Sequence, residues 1–249
     1  MAWKWYDSTV INIVDESPAT RRIWVEISTT EDFHFEAGQF VTMDLPIDEK
    51  RLKRWRSYSI ANAPDGGKVL EFCILNLEGG AASRYFFEEM ELGATIRFKG
   101  PDGAFTLPSN IENQDLVLIC TGTGIAPFRS MIGDIYRLGK PHRRIHLIFG
   151  TRYANGILYR EEFEQLRREH PEFSYEVALS REAEINAAQF DFPVHKGYIH
   201  QVYLQQYAVK RPDVSFYLCG WSNMIDDAVA NLIVKLGYDK SQVRYELYG

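Results

Sequence analysis

The sequence predicts two domains, an all-β half followed by an α/β half, and three observations support this. The first half contains short strands with alternating apolar residues, separated by Gly and Pro turns. The second half contains continuous apolar strands that alternate with amphipathic helical segments. The chain has 249 residues, 45% of them hydrophobic, which is enough for two buried cores. We therefore expect a closed antiparallel barrel or sandwich, then a doubly wound parallel sheet.

Five strands and one helix are predicted in the first half. In RRIWVEIS, the residues Ile23, Val25 and Ile27 alternate with other side chains, as in a half-buried strand. The strands FVTMDLP, SYSIANAP, VLEFCIL and TIRFKG follow at short intervals, and the helical insert SRYFFEEMELG interrupts them. Several short strands with turn residues between them are typical of a barrel or a sandwich.

The character of the sequence changes after GPDGAFTLPSN. The segments LVLICTGTG, RIHLIFGTR, FSYEVALS, SFYLCGW and VRYELYG are predicted strands, and helices are expected to begin near Ala126, Tyr159, Ile199 and Asn223. This alternation predicts βαβ units in a parallel sheet. The boundary is expected between Pro108 and Asn113, which gives domains 1–110 and 111–249. Residues 183–193 are expected to form a long irregular loop.

Composition and charge argue against several classes of function. The net charge is −6 with both signs spread along the chain, so nucleic acid is not an expected partner. No apolar run approaches the roughly 20 residues of a membrane span. Because MAWKWYDSTV also lacks the apolar core of a signal peptide, the expected location is the cytoplasm. Cys73, Cys120 and Cys219 lie far apart in apolar strands, so we expect reduced thiols and no metal or iron–sulfur site.

A glycine-rich loop is the first candidate binding site. An apolar strand ends at Thr121-Gly122-Thr123-Gly124, and a helix follows at once with Pro127 in its first turn. Glycines let the backbone approach an anion closely, and a helix N-terminus directs N–H groups and partial positive charge towards it. A pyrophosphate fits this arrangement. The spacing differs from G-x-G-x-x-G, so a tight strand-to-helix turn is the alternative.

A second candidate lies in RWRSYSIANAP, where Arg56, Ser57, Tyr58 and Ser59 form the motif RSYS. It is followed, in order, by GGAAS at 79–83, GPDGAF, GTGIAP, FYLCGWSNM and YELYG. These motifs run through nearly the whole chain and resemble those of the ferredoxin–NADP reductase superfamily. The resemblance implies an FAD-binding β-barrel, then an NAD(P)-binding α/β domain, in an FAD-dependent reductase.

The resemblance gives roles to residues of the flavin segment. The Arg56 guanidinium can hold a diphosphate bidentately, the Tyr58 ring can lie against the isoalloxazine, and the Ser59 hydroxyl can reach flavin N5. Ser83 is expected to cap the helix SRYFFEEM and to bind the FAD pyrophosphate there. Taken singly, each residue also fits an ordinary structural role. The remaining expected FAD contacts are Ser57, the backbone of Ile60, Cys73, Ile74 and Leu75, and the small residues Gly80, Ala81 and Ala82.

Residues near the C-terminus are expected to contact the nicotinamide. Cys219 and Gly220 end a strand at the carboxyl edge of the predicted sheet, where ligands bind, and the resemblance makes Cys219 a positioning residue for hydride transfer. The resemblance also matches Tyr248, with Gly249 behind it, to an aromatic residue that covers the flavin face where nicotinamide enters. Glu246 matches a carboxylate that assists proton exchange. A solvent-facing glutamate is the alternative for Glu246.

Use of NADP requires cations near the 2′-phosphate. Ser180 and Arg181 follow the strand FSYEVAL, and together with Lys196 and Tyr198 of HKGYIHQVY they resemble the plant-type site for the 2′-phosphate and adenine. Arg152 resembles the arginine of bacterial reductases. NADP is therefore the expected nucleotide. NAD stays as the alternative, because such residues are common solvated charges and the barrel motifs equally resemble NADH-dependent oxygenase reductases.

The electron acceptor is expected to be a separate molecule, because the chain lacks the cysteines of an iron–sulfur domain. The resemblance implies ferredoxin or flavodoxin. The basic segment KRLKRWR, residues 50–56, can steer an acidic carrier, with a merely solvated loop as the alternative. Two other functions stay open. One is an NAD(P)H-dependent reductase of a free flavin or of an oxygenase component, and the other, in a different class, is a non-catalytic dinucleotide-sensing module.

Overall fold

The computed structural model describes residues 4–30 and 32–248. The chain divides into two compact units. The first consists of the chain up to Leu107 together with Ala126–Gly139, and the second of Pro108–Ile125 together with the chain from Lys140 onward. Each unit is built on a six-stranded sheet.

The sheet of the first unit is antiparallel, with its strands in the order β4-β3-β6-β1-β2-β5. A short helix, α1, precedes β4, and α2 follows β5 and continues into a π-helical turn at Tyr85–Glu89. The five predicted strands and the helical insert are all present. The elements are β1 (Trp5–Ser17), β2 (Thr20–Ile27), β3 (Phe40–Asp44), α1 (Arg51–Arg54), β4 (Trp55–Ser59), β5 (Val69–Leu75), α2 (Ala81–Arg84) and β6 (Thr95–Asp102).

The strand β1 was not predicted, and its irregular pairing explains why. Its register with β2 shifts between Val10 and Asn12 and again between Asp15 and Ser17. Each irregularity interrupts the period of two by which a strand is recognised. Ile11 and Val14 consequently face solvent, with 44% and 40% of their surface exposed.

The two ends of this sheet meet. The Ala61 N–H, just after β4, donates to the Glu71 carbonyl in β5 at 2.8 Å. The Asn62 side chain continues the contact, since it accepts from the Glu71 N–H at 2.8 Å and donates to the Val69 carbonyl at 3.1 Å. The sheet therefore closes like a barrel around buried residues such as Val25, Val41, Leu70, Phe72 and Phe98.

The helix that follows the glycine loop, α3 (Ile125–Arg137), contacts the strands of the first unit through buried charges. Glu71 is 2% exposed. One carboxylate oxygen lies 2.6 Å from Arg22 Nε and the other 2.8 Å from Arg129 Nη1. The Ser130 hydroxyl donates to the Asn62 carbonyl at 2.7 Å. These contacts are among those that group Ala126–Gly139 with the strands.

The sheet of the second unit is parallel, with its strands in the order β10-β9-β8-β7-β11-β12. The helices begin at Ile125, Arg160, His200 and Ser222, each next to the residue predicted. Single 3₁₀ turns lie at Ile111–Asn113, Gly122–Gly124, Ala154–Gly156, Ala187–Gln189 and Lys240–Gln242. Besides α3, the elements are β7 (Asp115–Thr121), β8 (Ile145–Thr151), α4 (Arg160–Glu169), β9 (Phe173–Leu179), β10 (Val194–Lys196), α5 (His200–Gln206), β11 (Val214–Trp221), α6 (Ser222–Val229), which a π-helical segment Ala230–Lys235 extends, and β12 (Val243–Tyr248).

The strand order reverses next to β7. The chain runs outward from β7 through β8 and β9 to β10, then returns to the other side of β7 with β11 and β12. Ligands of open parallel sheets bind at the carboxyl ends of the strands where the order reverses. This point lies between the ends of β7 and β11. No helix among the described residues is long and apolar enough to cross a membrane.

The loop 183–193 is irregular as predicted, apart from its one 3₁₀ turn. It is attached to α4 by side chains. The Arg168 guanidinium lies 2.7 Å from the Asp191 carboxylate, and the Arg160 guanidinium lies 4.6 Å from the centre of the Phe190 ring. The loop therefore has a defined path between β9 and β10.

Candidate functional site

Arg56 and Ser57 lie on β4, which is at one end of the sheet order of the first unit. Arg56 Nη1 donates to the carbonyls of Lys53 and Trp55, both at 2.8 Å. A guanidinium carries five donors, so Nε and Nη2 remain for a diphosphate. Ser57 is exposed, and its hydroxyl lies 3.1 Å from that of Thr42.

Tyr58, Ser59 and Ile60 follow directly. The Tyr58 ring packs edge-on against Phe86, with ring centres 5.4 Å apart at 89°. Burial raises the pKa of the Tyr58 hydroxyl, which therefore stays protonated. Ser59 is 5% exposed. The Ile60 N–H donates to the Gln39 carbonyl at 3.0 Å, so its own carbonyl is the backbone group left for a ligand.

The predicted backbone contacts of β5 lie at the other end of the sheet order. The residues Cys73, Ile74 and Leu75 pair on one side with β2. On its other side, β5 contacts the segment after β4 through the Glu71 carbonyl, which accepts from the Ala61 N–H. Because the ends of the sheet meet, the structure brings this segment close to the residues that follow the RSYS motif.

The predicted capping role of Ser83 is wrong. The helix begins at Ala81 with Gly80 as its N-cap, so Ser83 lies inside the first turn. The Ser83 hydroxyl instead turns back to the preceding loop, where it accepts from the Leu77 N–H at 2.8 Å and donates to the Leu75 carbonyl at 3.3 Å. The serine therefore fixes the turn between β5 and α2.

A cavity of about 390 Å³ adjoins this helix N-terminus. Its walls include Gly79, Gly80, Ser83, Arg84 and the loop before them. The first N–H groups of a helix, here those of Ala81, Ala82 and Ser83, have no acceptor within the helix and suit a phosphate. The cavity and these donors fit the diphosphate of FAD.

The loop Thr121–Gly124 passes unusually close to the end of β11. A Cβ on Gly124 would lie 2.4 Å from the Cys219 carbonyl oxygen, and a Cβ on Gly220 would lie 2.4 Å from Thr121 Oγ1. Gly220 also has a φ of +143°, which favours glycine. At Gly122, with φ +53°, no described atom outside the adjoining backbone lies within 4 Å of the position that a Cβ would take, so the space beside this glycine is open.

Thr121 carries the clearest sign of a ligand-binding role in this loop. Its Oγ1 is buried and has no hydrogen-bond partner among residues 4–30 and 32–248. A buried polar atom without a partner costs about 1–3 kcal/mol, and such atoms usually have a ligand or water as partner. The close backbone, the open space at Gly122 and this hydroxyl together fit a dinucleotide.

Cys219 and Glu246 lie in one row of the parallel sheet. Cys219 pairs with Cys120 of β7 on one side and with Glu246 of β12 on the other. Burial, and then the charge of Glu246, raises the pKa of the Cys219 thiol, so the thiol stays protonated. It suits packing and positioning rather than nucleophilic attack. Tyr248, half-buried, pairs with the end of β11 at Trp221, and Gly249 lies outside the described residues.

Three exposed cations lie at or just beyond the ends of neighbouring strands. Arg152 follows β8, Arg181 follows β9, and Lys196 ends β10. The Arg181 N–H donates to the Arg152 carbonyl at 2.9 Å, and Lys196 Nζ donates to the Ala183 carbonyl at 2.7 Å. Tyr198, just beyond, is 73% exposed. The arrangement suits a phosphate monoester with an aromatic ring beside it.

Two neighbours complete this cationic site. The Ser180 hydroxyl donates to the Thr151 carbonyl at 3.3 Å, which holds the ends of β8 and β9 together. The Glu182 carboxylate accepts from the Ala154 N–H at 2.8 Å. Glu182 directly follows Arg181 in the chain, so a negative charge adjoins the cations.

Two carboxylates, one buried and one largely buried, were not identified from the sequence. Glu71 lies within VLEFCIL and Glu176 within FSYEVAL, and both bind several side chains of their own unit. A glutamate inside an apolar strand was the available signal, since such a charge needs partners when buried. Their partners lie far away in the chain, so the sequence alone did not identify them.

Comparisons with known proteins agree with this geometry. Residues 7–107 match the oxidoreductase FAD-binding domain and residues 118–230 the oxidoreductase NAD-binding domain. Ferredoxin–NADP reductase B of Sorangium cellulosum is 32% identical over 98% of this chain and 97% of its own length. The reductase component of phenol 2-monooxygenase from Pseudomonas sp. strain CF600 is 32% identical over 92% of this chain, which spans only 61% of that protein.

Solved structures show the same architecture. The Amycolatopsis cytochrome P450 reductase superposes with a TM-score of 0.85 at 27% identity, covering 98% of this chain and 69% of its own. A Neisseria gonorrhoeae ferredoxin–NADP⁺ reductase with bound FAD and NADP gives 0.81 at 22% identity over 99% of both chains, a likeness of fold alone. The predicted fold class and the predicted cofactors, FAD and a pyridine nucleotide, are confirmed. This chain therefore belongs to the ferredoxin–NADP reductase superfamily of flavin oxidoreductases.

Proposed function

We propose that the protein oxidises or reduces NADP(H) through FAD and exchanges electrons with a ferredoxin or flavodoxin. The observation that carries the choice of NADP is the position of Arg152, Arg181 and Lys196 at or just beyond the ends of three adjacent strands. A 2′-phosphate needs such cations, whereas a ribose hydroxyl does not. The similarity to a ferredoxin–NADP reductase over nearly the full length of both chains supports the same choice.

FAD, when bound, takes up a hydride from the nicotinamide and passes its electrons on one at a time. In this proposal Arg56 would hold the diphosphate and the Ser59 hydroxyl would face the flavin N5. On the nucleotide side, the loop Thr121–Gly124 would bind the pyrophosphate, and Cys219 and Gly220 would lie beside the nicotinamide. The Glu246 carboxylate would assist proton exchange.

The test is the anaerobic spectrum of the purified protein, titrated separately with NADPH and NADH. A yellow protein that NADPH bleaches faster than NADH supports the proposal, and a colourless protein contradicts it. Bleaching by either nucleotide also argues against a non-catalytic sensor. The NADP site is tested by Arg181→Ala, which should raise the KM for NADPH roughly 10- to 100-fold and leave that for NADH unchanged.

The matched control is Arg144→Ala. Arg144 is an exposed arginine that immediately precedes β8, at the opposite end of the strands. Arg144→Ala changes the net charge by the same amount as Arg181→Ala, so it measures the nonspecific electrostatic effect on nucleotide binding. If Arg181→Ala leaves the ratio of the KM values for NADPH and NADH unchanged, the 2′-phosphate is bound elsewhere.

The acceptor part of the proposal concerns the basic segment before β4. Leu52 is 78% exposed, and the Arg51 guanidinium lies 5.1 Å from the centre of the Trp55 ring. Lys99 Nζ lies 4.4 Å from the same ring centre. A basic surface with apolar groups fits an acidic electron-carrier protein.

Electrostatic docking is tested with ferredoxin as acceptor across a salt series. Turnover should fall as ionic strength rises, because screening weakens attraction between exposed charges. Reduction of an uncharged quinone measures the salt response of the remaining steps. If Arg51→Glu and Lys53→Glu slow ferredoxin and quinone reduction equally, the segment does not dock the carrier.

A second candidate is an NADH-dependent reductase of an oxygenase component. Glu182, next to Arg181, favours it, because a carboxylate near the adenosine ribose typically binds the 2′-hydroxyl of NAD. The similarity to a phenol 2-monooxygenase reductase component supports it as well. Faster bleaching by NADH, together with reduction of acceptors without a carrier protein, would establish this candidate instead.

A further inference from the structure

The short strand β10 carries Lys196, one of the three cations proposed for the 2′-phosphate. It contains three residues and lies at the end of the sheet order, with β9 as its only partner strand among the described residues. The loop 183–193 precedes it, and Gly197, with φ +109°, follows it. An edge strand this short has few backbone hydrogen bonds, so side chains must contribute to its position.

A largely buried carboxylate on β9 supplies that contact. His195 Nε2 of β10 lies 2.6 Å from Glu176 Oε2, and the two side chains are 34% and 12% exposed. His195 pairs with Ala178, two residues beyond Glu176, so both side chains point to the same face of the sheet. Glu176 also accepts from Gln206, the last residue of α5, at 2.6 Å.

The same carboxylate is held from the other side by β8. His146 Nε2 lies 3.3 Å from Glu176 Oε1, and His146 Nδ1 lies 2.8 Å from the Tyr207 hydroxyl. Burial raises the pKa of the Tyr207 hydroxyl, which therefore keeps its proton. The contact with Tyr207 fixes the orientation of the His146 ring beside Glu176.

The ionisation state of Glu176 suits this role. Burial raises the pKa of this carboxyl, but hydrogen bonds from His146, Gln206 and His195 hold it down at about 2. The carboxylate therefore stays charged at neutral pH, in contact with His195 of β10 and Gln206 of α5, while His146 of β8 lies 3.3 Å away. A charge-assisted hydrogen bond of this kind is shorter and stronger than a neutral one.

The position of His195 fixes that of Lys196, because successive side chains of a strand point to opposite faces. With His195 bound to Glu176 on one face, Lys196 must extend on the other. There its Nζ reaches the Ala183 carbonyl, two residues after Arg181. The contact between His195 and Glu176 therefore directs the lysine towards the arginine end of the site.

We infer that His195 and Glu176 are positioning residues of the 2′-phosphate site, which hold Lys196 in place without touching the nucleotide. The inference rests on the proposed function, because it assumes that the nucleotide is NADP. Nothing in the pair itself binds the ligand, so its effect must pass through Lys196. That requirement makes the inference testable separately from the NADP proposal.

The experiment measures binding of 2′,5′-ADP and of 5′-AMP to the FAD-loaded protein by calorimetry. His195→Ala should weaken 2′,5′-ADP binding by roughly 3- to 10-fold, part of what a charged hydrogen bond to phosphate contributes. Binding of 5′-AMP, which lacks the 2′-phosphate, should not change. His195→Gln keeps a side-chain N–H donor and should restore most of the loss.

The decisive comparison repeats His195→Ala in a Lys196→Ala background. If the pair acts through the lysine, the second substitution has no further effect on 2′,5′-ADP binding. The control is His170→Ala, since the His170 side chain is 36% exposed, against 34% for His195, and its Nδ1 lies 3.3 Å from the more exposed Glu172. It should leave both ligands unaffected.

Several outcomes would overturn the inference. The contact between His195 and Glu176 would be merely structural if the effects of His195→Ala and Lys196→Ala on 2′,5′-ADP affinity simply add. The same conclusion would follow if His195→Ala weakened the binding of 2′,5′-ADP and 5′-AMP equally. If His195→Ala does not fold, Glu176→Gln provides the same comparison, with a selective loss expected again. A wild-type protein that binds 5′-AMP as tightly as 2′,5′-ADP would refute the NADP proposal and the inference together. If the wild type prefers 2′,5′-ADP but the variant loses affinity for both ligands equally, only the inference is refuted.

Discussion

The close approach of Gly124 to the end of β11 predicts a large effect of one added methyl group. In Gly124→Ala, the new Cβ would lie 2.4 Å from the Cys219 carbonyl oxygen and 2.8 Å from the Gly220 nitrogen. Carbon and oxygen atoms in contact normally lie about 3.3–3.6 Å apart, so the overlap is roughly 1 Å. The neighbours are backbone atoms of a buried strand, which cannot rotate away. We expect a loss of about 3 kcal/mol in the free energy of unfolding of the second unit, the upper end for overpacked sites.

Gly122→Ala is the matched control, two residues earlier in the same loop. Gly122 has φ +53° and open space around its Cβ position, so the alanine meets no described atom and costs only about 1–2 kcal/mol of backbone strain. The new methyl group would instead stand where we propose that the pyrophosphate binds. Gly124→Ala should therefore mainly lower stability, and Gly122→Ala should mainly weaken NADP⁺ binding.

The assay is urea denaturation of the two variants, combined with hydrogen exchange of the β7 and β11 amides by mass spectrometry. Exchange reports on the second unit separately, which matters because two units need not unfold in one step. If Gly124→Ala is as stable as Gly122→Ala, the loop and the strand end do not approach each other as the structure shows.

Three further predictions concern buried charge and the C-terminal strand. Glu71→Gln should lower the free energy of unfolding by about 3–5 kcal/mol, because it leaves two partly buried arginines without their carboxylate. The control Glu89→Gln, at an exposed ion pair, should lower it by less than about 1 kcal/mol. Equal shifts of the urea midpoint in the two variants would contradict the buried network. The Glu176 pKa of about 2 lies below the unfolded value of about 4.3. The stabilisation that ionised Glu176 contributes is therefore complete above the unfolded pKa and is lost as pH falls towards 2. In Glu176→Gln, the free energy of unfolding should consequently fall less steeply as the pH is lowered. An unchanged slope would refute this prediction. Tyr248→Ser should raise NADP⁺ affinity in difference-spectrum titrations if the tyrosine competes with nicotinamide, and an unchanged affinity would count against it.

Local sequence was sufficient for the features that depend on neighbouring residues. The alternation of Ile23, Val25 and Ile27 identified β2, and the glycine loop with Pro127 identified the start of α3. Both signals come from a few consecutive residues, and the structure has the elements where they were predicted. The strand β1 failed the same test, because its irregular register removes the alternation.

The Ser83 error shows the limit of local rules. Serine is a common N-cap, and two small residues before it matched the start of a helix. The two small residues in fact begin the helix, since Ala is the best helix former, and Gly80 takes the cap. The serine hydroxyl instead hydrogen-bonds the backbone of the turn that follows β5. The position of that turn depends on tertiary packing.

Contacts between distant segments were not predictable in this way. The sequence places Gly124 and Cys219 at the ends of different strands, but it does not show that their backbones nearly touch. Likewise, Glu71 and Glu176 look similar as single glutamates within apolar strands. Their partners come from other strands and helices, which only the folded chain brings together.

The proposed NADP site contains one carboxylate beside its cations. A carboxylate next to Arg181 would favour NAD if it were available to a ribose hydroxyl. One oxygen of the Glu182 carboxylate, Oε2, accepts from the Ala154 N–H at the start of the turn Ala154–Gly156. The other oxygen can accept a ribose hydroxyl while this contact is kept. Arg152 and Lys196 extend from neighbouring strand ends with exposed side chains. In the proposed site the cations outnumber this carboxylate, which supports the choice of the 2′-phosphate, and the comparison of Arg181→Ala with Arg144→Ala decides between the two nucleotides.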